Sequence, residues 1–272
     1  MKRGMAMKYG IYRGIAMTVA GSDSGGGAGI QADLKTFAAL KVFGTSAITA
    51  LTVQNSLGVT GIHNAPPEII KAQILAVGSD FPLGAVKTGM LGNRGTIRAV
   101  AEGLSELGIK KIVVDPVMVA QSGDSLLAAD AVEAVKEIIV PLALIVTPNL
   151  PEAEKLTGMK IESVEEMTAA AREIAKLGCG AVLVKGGHLA GEPEIITDVL
   201  LADGKISLLQ DRRIETTANH GTGCTLSSAI AAELAAGLRL GEAVARARQY
   251  LRAGLHYGVT AGHGAGCLGH AV

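Results

Sequence analysis

This chain of 272 residues lacks an excess of charge of either sign, with 25 Lys+Arg against 25 Asp+Glu. A basic field that would attract nucleic acid is therefore missing, and so is an acidic one of the kind that keeps a tail solvated. No apolar run reaches the roughly 18–20 residues needed to cross a bilayer. The Ala-rich stretch after Cys224 comes nearest, and Glu233 interrupts it. Cysteine is scarce. Cys179, Cys224 and Cys267 are widely scattered, with no CxxC pair and no Cys/His ligand spacing, and free thiols of this kind fit a cytoplasmic protein. Residues 1–14 hold Lys2, Arg3, Lys8 and Arg13 but no apolar core long enough for a signal peptide, so they are expected to be a loose extension. Internal repeats, low-complexity linkers and an internal domain boundary are also lacking. What is abundant is apolar residue content, 49%, enough for the core of one large α/β domain over residues 15–272.

The most informative stretch is Asn219-His220-Gly221-Thr222-Gly223-Cys224-Thr225-Leu226-Ser227-Ser228-Ala229-Ile230. It is glycine-rich at first, then small and apolar at helical spacing, which predicts a loop running straight into a helix. Gly221 and Gly223 let the backbone curl until successive N–H groups converge above the helix N-terminus. The positive end of the helix dipole lies there too, so the spot suits an anion. Cys224 falls in or beside the first turn, where a thiol pKa is expected to be lowered. A tight turn followed by a buried cysteine is the plainer reading of any single Gly-x-Gly.

Residues 15–20 predict a strand, Gly21-Ser22-Asp23-Ser24-Gly25-Gly26-Gly27-Ala28-Gly29 a loop, and Ile30, Leu34, Phe37 and Val42 one side of a helix. The loop has no Gly-Lys-Ser/Thr ending and is not a Walker A sequence. It does contain Gly27-x-Gly29-x-x-Ala32, a weak match to a dinucleotide fingerprint. Asp33 by itself reads as a solvated or capping carboxylate. Residues 44–55 predict one or two strands, and 85–90, 111–115, 143–146 and 181–187 predict one each. Helices are expected over 68–78, 96–107, 128–140 and 242–257, and from the capping box Ser163–Glu166 to near Gly178. Asp203-Gly204 predicts a hairpin. Alternation of this kind makes an α/β fold. Asp115 closes a strand, at the edge where open α/β sheets bind ligands. Asn149 and Glu152 open a helix at another strand end, where an N-cap with its box partner weighs evenly against a metal or phosphate role. Lys185 lies near the end of 181–187, before Gly186-Gly187-His188.

Taken together these motifs are specific: 20–35 (Ala-Gly-Ser-Asp-Ser-Gly-Gly-Gly-Ala-Gly-Ile-Gln-Ala-Asp-Leu-Lys), 48–55 (Ile-Thr-Ala-Leu-Thr-Val-Gln-Asn), 87–92 (Lys-Thr-Gly-Met-Leu-Gly), 115–120 (Asp-Pro-Val-Met-Val-Ala), 147–153 (Thr-Pro-Asn-Leu-Pro-Glu-Ala), 184–188 (Val-Lys-Gly-Gly-His) and 220–227 (His-Gly-Thr-Gly-Cys-Thr-Leu-Ser). From about Ile15 to His270 the sequence resembles the hydroxymethylpyrimidine/phosphomethylpyrimidine kinases of thiamine biosynthesis, members of the ribokinase-like superfamily. The resemblance implies a three-layer, doubly wound, mostly parallel sheet with helices on both faces. It also implies ATP-dependent phosphorylation of 4-amino-5-hydroxymethyl-2-methylpyrimidine, then of its monophosphate, by a cytoplasmic homodimer that uses Mg²⁺. Matched position by position, Gly21, Asp33, Gln54, Met90 and Val117 fall in the pyrimidine pocket. The Gln54 amide can donate and accept in parallel against a ring nitrogen and an exocyclic amine, as Gln does on adenine. Asp33 can accept from the same amine. Asp115, Asn149 and Glu152 match positions that organise Mg²⁺ and its waters around the ATP phosphates, and Lys185 matches a phosphate-contacting lysine. Gly221, Thr222, Gly223 and Cys224 match the anion hole that neutralises the transferring phosphoryl.

Three departures accompany the resemblance. Cys224 stands where the wider superfamily carries an aspartate base, although Cys is usual in the pyrimidine kinase branch. Ser24-Gly25 replaces a common Pro-Ser, which predicts a more flexible loop. Cys267 occupies a common Pro position in a tail that follows the family only in part. Three rival readings remain: a pyridoxal kinase or an enzyme of both rings, an NAD-type oxidoreductase resting on the Gly27 fingerprint, and a non-catalytic pyrimidine sensor.

Overall fold

The computed structural model describes residues 10–118, 131–187, 189 and 194–272, so Val119-Ala120, His188 and the start of the 128–140 helix lie outside the described residues. The strands are β1 (Ile15–Asp23), β2 (Phe43–Asn55), β3 (Gly58–Asn64), β4 (Ala85–Thr88), β5 (Ile112–Val114), β6 (Ile145–Val146), β7 (Ala181–Val184), β8 (Ile195–Ala202) and β9 (Lys205–Arg212). They form one sheet in the order β3-β2-β1-β4-β5-β6-β7-β8-β9. Pairing is parallel from β2 through β7 and antiparallel for β3, β8 and β9 at the two edges.

The period-two pattern of the central strands decides the layers. Ala16, Val113, Ala181 and Leu183 face one core, while Met17, Val19, Ile112, Val114, Val182 and Val184 face the other. Strands buried on both faces read as continuous apolar runs, as these do. The first core is covered by α1 (Gly29–Ala39), α7 (Thr222–Ala235) and α8 (Leu240–His256), through Phe37, Leu226, Ile230 and Val244. The second is covered by α2 (Pro67–Asp80), α3 (Arg94–Glu106), α4 (Ala131–Ala134), α5 (Leu150–Thr157) and α6 (Val164–Ala175). The result is the three-layer, doubly wound α/β architecture.

Several local expectations needed adjustment. Residues 43–55 form one long strand, and β3 answers it antiparallel, unannounced because Gly58, Gly61, His63 and Asn64 interrupt Val59, Thr60 and Ile62. The described part of the 128–140 helix runs from α4 into a π-helical turn at Val135–Ile139 and a 3-10 turn at Val140–Leu142, where Pro141 has no N–H to continue the ladder. The Asp203-Gly204 hairpin, by contrast, is present as expected: both residues have positive φ, 50° and 72°, as a type I′ turn between β8 and β9 requires. Glu233, which interrupts the apolar stretch of α7, is buried and held by Arg13 in a two-pronged pair of 3.1 and 2.7 Å.

Because β1 sits between β2 and β4, the chain leaves it in opposite directions, and a crevice opens at that switch point beyond the carboxyl ends of the strands. The strand ends deliver Gly21 and Asp23 (β1), Asp115 (after β5), Asn149 (after β6) and Lys185 (after β7) to this edge.

Candidate active site

A cleft of roughly 390 Å³ occupies the crevice, within the size range of small-molecule sites. Gly21, Gln54, Met90, Val117, Asp115, Asn149, Glu152, Lys185, Gly221, Thr222, Gly223 and Cys224 all line it. Of the residues expected from sequence, Asp33 alone does not.

One end of the cleft is charged. Lys185 Nζ lies 3.1 Å from Asp115 Oδ1 and 4.0 Å from Glu152 Oε2. Burial alone would depress the Lys185 ammonium, but the two carboxylates outweigh it and hold its pKa above the ordinary value. Asp115 also accepts from Ser227 Oγ at 3.2 Å, which ties it to the first turns of α7. The start of that helix lies directly against the pair, because a Cβ on Gly223 would come 3.2 Å from Lys185 Nζ. Gly221 caps α7 in the left-handed conformation, φ 83°, and no side chain satisfies the helix end. Unpaired N–H groups of Gly223 and Cys224 thus open a site for an anion. Asn149 and Glu152 form a full capping box on α5, Asn149 N–H donating to Glu152 at 2.8 Å and Glu152 N–H to Asn149 at 2.9 Å. The capping role is real, and Glu152 faces the cleft as well. Two buried carboxylates beside one ammonium offer the few hard oxygen donors that Mg²⁺ takes alongside phosphate oxygens. Among the described residues no group of three His, Cys, Asp or Glu is placed to enclose a metal alone.

The other end is less polar. Met90 Sδ fills the space beside Gly21, and Gln54 lies next to Thr52, whose hydroxyl donates to Ser22 O at 2.8 Å and sits 3.0 Å from the Gln54 amide. The glycine loop beneath them is held by side-chain hydrogen bonds of Asp23 and Ser24. Asp23 accepts from the N–H groups of Gly25, Gly27 and Ala28 at 2.8, 3.0 and 2.8 Å. Ser24 Oγ donates to Gln54 O at 2.7 Å. The donors a dinucleotide phosphate would need are thus already taken by Asp23, which removes the physical basis of the fingerprint reading.

Two expectations are corrected here. Asp33 is fully buried, and its carboxylate accepts from Lys87 Nζ at 2.9 Å to both oxygens, from Thr18 Oγ1 at 2.5 Å and from Ser228 Oγ at 2.5 Å. Nothing is left to accept from a substrate amine. Cys224 was expected to have a lowered pKa, yet burial pushes its thiol up to about 11. Lys87 and the Gly29 N–H pull it down, while Asp33 and Asp115 push it further up. Desolvation outweighs both of the lowering influences.

Comparison with known proteins settles the family. The sequence model described as phosphomethylpyrimidine kinase matches residues 23–269. This chain belongs to the phosphomethylpyrimidine kinase family. It is 55% identical over 242 residues to a hydroxymethylpyrimidine/phosphomethylpyrimidine kinase from Rhizobium meliloti, covering 89% of this chain and 90% of that one. A crystal structure of phosphomethylpyrimidine kinase from Clostridium difficile superposes with TM-score 0.78 at 44% identity, over 88% of this chain and 97% of the other. An ADP complex of Bacillus subtilis pyridoxal kinase superposes with TM-score 0.87 at 35% identity, over 95% and 97%. As a member of this kinase family the chain is a phosphotransferase with the ribokinase-like fold, which disposes of the oxidoreductase and sensor readings.

Sequence reasoning about this kinase missed Asp23, Thr52, Lys87 and His220 as parts of the site or its support. His220 Nε2 lies 3.0 Å from Asp23 Oδ2 across 197 residues of chain, a separation at which no local signal exists. Glu152 has a consequence that can be measured directly. Burial pushes its pKa up to about 7, with Lys185 drawing it down and Asp115 raising it. The folded chain therefore keeps a proton that the unfolded chain has already released, and stability falls as pH rises through about 7. Glu152→Gln should gain stability over the wild type by on the order of 1–3 kcal/mol between about pH 5 and about pH 8. Urea denaturation of both ligand-free proteins at the two pH values gives this difference. Taking the difference cancels His270, whose ring burial depresses to about 4 and which shifts stability the opposite way. A gap that stays constant with pH would mean Glu152 ionises without cost.

Proposed function

We propose that the chain transfers the terminal phosphoryl group of ATP to the hydroxymethyl oxygen of 4-amino-5-hydroxymethyl-2-methylpyrimidine, and then to the resulting monophosphate, in thiamine biosynthesis. The supporting observation is that one cleft joins the Gln54–Met90 end to the Lys185–Asp115–Glu152 end at the uncapped start of α7. A flat aminopyrimidine fits the first, where Gln54 can pair with its nitrogen-bearing edge. Phosphates fit the second, where Lys185 and the N–H groups of Gly223 and Cys224 meet negative charge. Asp115 and Glu152 would hold Mg²⁺, which when bound neutralises charge on the phosphates. Phosphoryl transfer through a loose transition state depends mainly on positioning and charge neutralisation, so little is demanded of a base. The substrate reading is tested by assaying transfer from ATP on the pyrimidine alcohol, its monophosphate and pyridoxal side by side. Preference for pyridoxal would overturn it.

We place this activity in a cytoplasmic homodimer. Exposed Leu51, Val53, Leu57 and Ile62 on the β2–β3 edge support an assembly there, and no helix among the described residues is long and apolar enough to cross a membrane.

Two substitutions probe the two ends. Gln54→Ala should cost about 1–3 kcal/mol in pyrimidine binding, because a polar ligand edge is left unpaired, while ATP affinity changes little. Equal weakening of both would make Gln54 structural. Cys224→Ser keeps the backbone N–H and removes a thiol that is protonated at neutral pH. Its losses on the alcohol and on the monophosphate should agree within about threefold, far below the 10²–10⁴ of a general base. A loss concentrated on the alcohol, with disappearance of a thiol limb in the pH profile, would restore Cys224 as the base.

A further inference from the structure

Asp23 and His220 both line the cleft, yet the transfer chemistry above uses neither. Asp23 is buried, and burial alone would raise its pKa. The His220 ring and the N–H groups of Ala28 and Gly25 outweigh burial and hold it below the ordinary carboxylate value. An ionised carboxylate can only accept, so Nε2 of His220 carries the hydrogen of their 3.0 Å contact. This contact joins two loops that meet elsewhere without spare room. A Cβ on Gly27 would overlap the His220 ring and Cys267 Sγ, and one on Gly221 would overlap Gly27 O. The tail closes the same joint from behind, with His220 N–H donating to Gly266 O at 3.0 Å.

We infer that Asp23 and His220 are a positioning couple that bolts the glycine loop under the ring end of the cleft to the anion site at the start of α7. The couple acts through the backbone it holds, on the one side the 25–28 amides, on the other the Gly221 turn. Its value to the reaction, which rests on the transfer proposed above, is registration of acceptor oxygen and phosphoryl group. A misplacement of about 1 Å can cost on the order of 100-fold in rate. Gln at position 220 keeps a donor on a side chain of comparable reach; Ala does not.

The test compares wild type, His220→Ala and His220→Gln. In the ligand-free proteins, amide hydrogen exchange is read at 21–29 and 217–224. With ATP and the pyrimidine alcohol, kcat and KM are read separately. The couple predicts faster exchange in both segments for His220→Ala, with kcat down about 10–100-fold and pyrimidine KM within about twofold. His220→Gln should stay near wild type in exchange and recover most of kcat. Unchanged exchange in His220→Ala overturns the inference. So does a kcat loss equally deep in His220→Gln, because the imidazole would then act on the reacting atoms itself. If the wild type transfers nothing to the pyrimidine alcohol, the substrate reading fails, and the exchange data still decide the couple.

Discussion

Lys87→Met is expected to destabilise the fold by about 3–5 kcal/mol, the cost of leaving a buried charge without its partner. Lys87 and Asp33 are both fully buried, and Nζ lies 2.9 Å from each carboxylate oxygen. Burial alone would depress the ammonium, but Asp33 outweighs it and holds its pKa above the ordinary value. Thr18 and Ser228 supply the remaining donors to Asp33, so the cluster ties β1, β4, α1 and α7 together beneath the anion site. With Met at position 87 these two hydroxyls cannot replace a full charge. Adding Asp33→Asn to the Lys87→Met protein removes the stranded charge and should recover most of the loss, a non-additivity that marks direct coupling. Urea midpoints of the single and double variants decide the matter. A loss under about 1 kcal/mol for Lys87→Met, or a double variant no better than the single, would mean the pair does not anchor this face.

What could be read from the chain alone follows from how far each signal reaches. The parallel strands were legible because Ile-Val-Val at β5 and Ala-Val-Leu-Val at β7 need burial on both faces, a demand visible in three or four residues. The Gly221–Cys224 turn was legible for the same reason. A left-handed cap and a helix start are written in adjacent residues. Asp115, Asn149 and Lys185 could be picked out because each polar residue follows an apolar strand, and the fold brings strand ends together.

Long-range electrostatics were not legible. Asp33 looked like a surface carboxylate because its partner Lys87 is 54 residues away, inside an apparently ordinary strand. The helix start predicted an activated Cys224 thiol, but the neighbours that bury it come from other elements, and desolvation reversed the sign. β3 escaped notice because Val59 and Ile62 lie three residues apart, on opposite faces of the strand, and leave no period-two pattern, while β2 supplies the register. The glycine loop offered a weak dinucleotide fingerprint because sequence shows the donors and not the acceptor, Asp23, folded into them.

Asp115→Asn should reduce kcat on the order of 10²–10³-fold, and it should cost less stability than Lys87→Met because Lys185 is slightly exposed and keeps Glu152 within 4.0 Å. Asn keeps the shape of the side chain and can still accept from Ser227 Oγ, 3.2 Å away, so the packing at α7 survives. What disappears is charge at the phosphate end. Lys185 then retains only Glu152, at 4.0 Å, in place of a carboxylate at 3.1 Å. Its ammonium is free to swing, and the pair of carboxylates proposed to hold Mg²⁺ is reduced to one. Both effects bear on the transferring phosphoryl and neither on the ring. Pyrimidine KM should therefore change by less than about threefold, and the Mg²⁺ concentration for half-maximal rate should rise. Glu152→Gln separates the two carboxylates, since it touches the α5 cap as well as the cleft and Asp115→Asn does not. Titrating Mg²⁺ against initial rate for both variants distinguishes a metal role from a purely electrostatic one. A fall in kcat under about tenfold with an unchanged Mg²⁺ curve would remove Asp115 from the phosphate end and leave it a structural partner of Lys185.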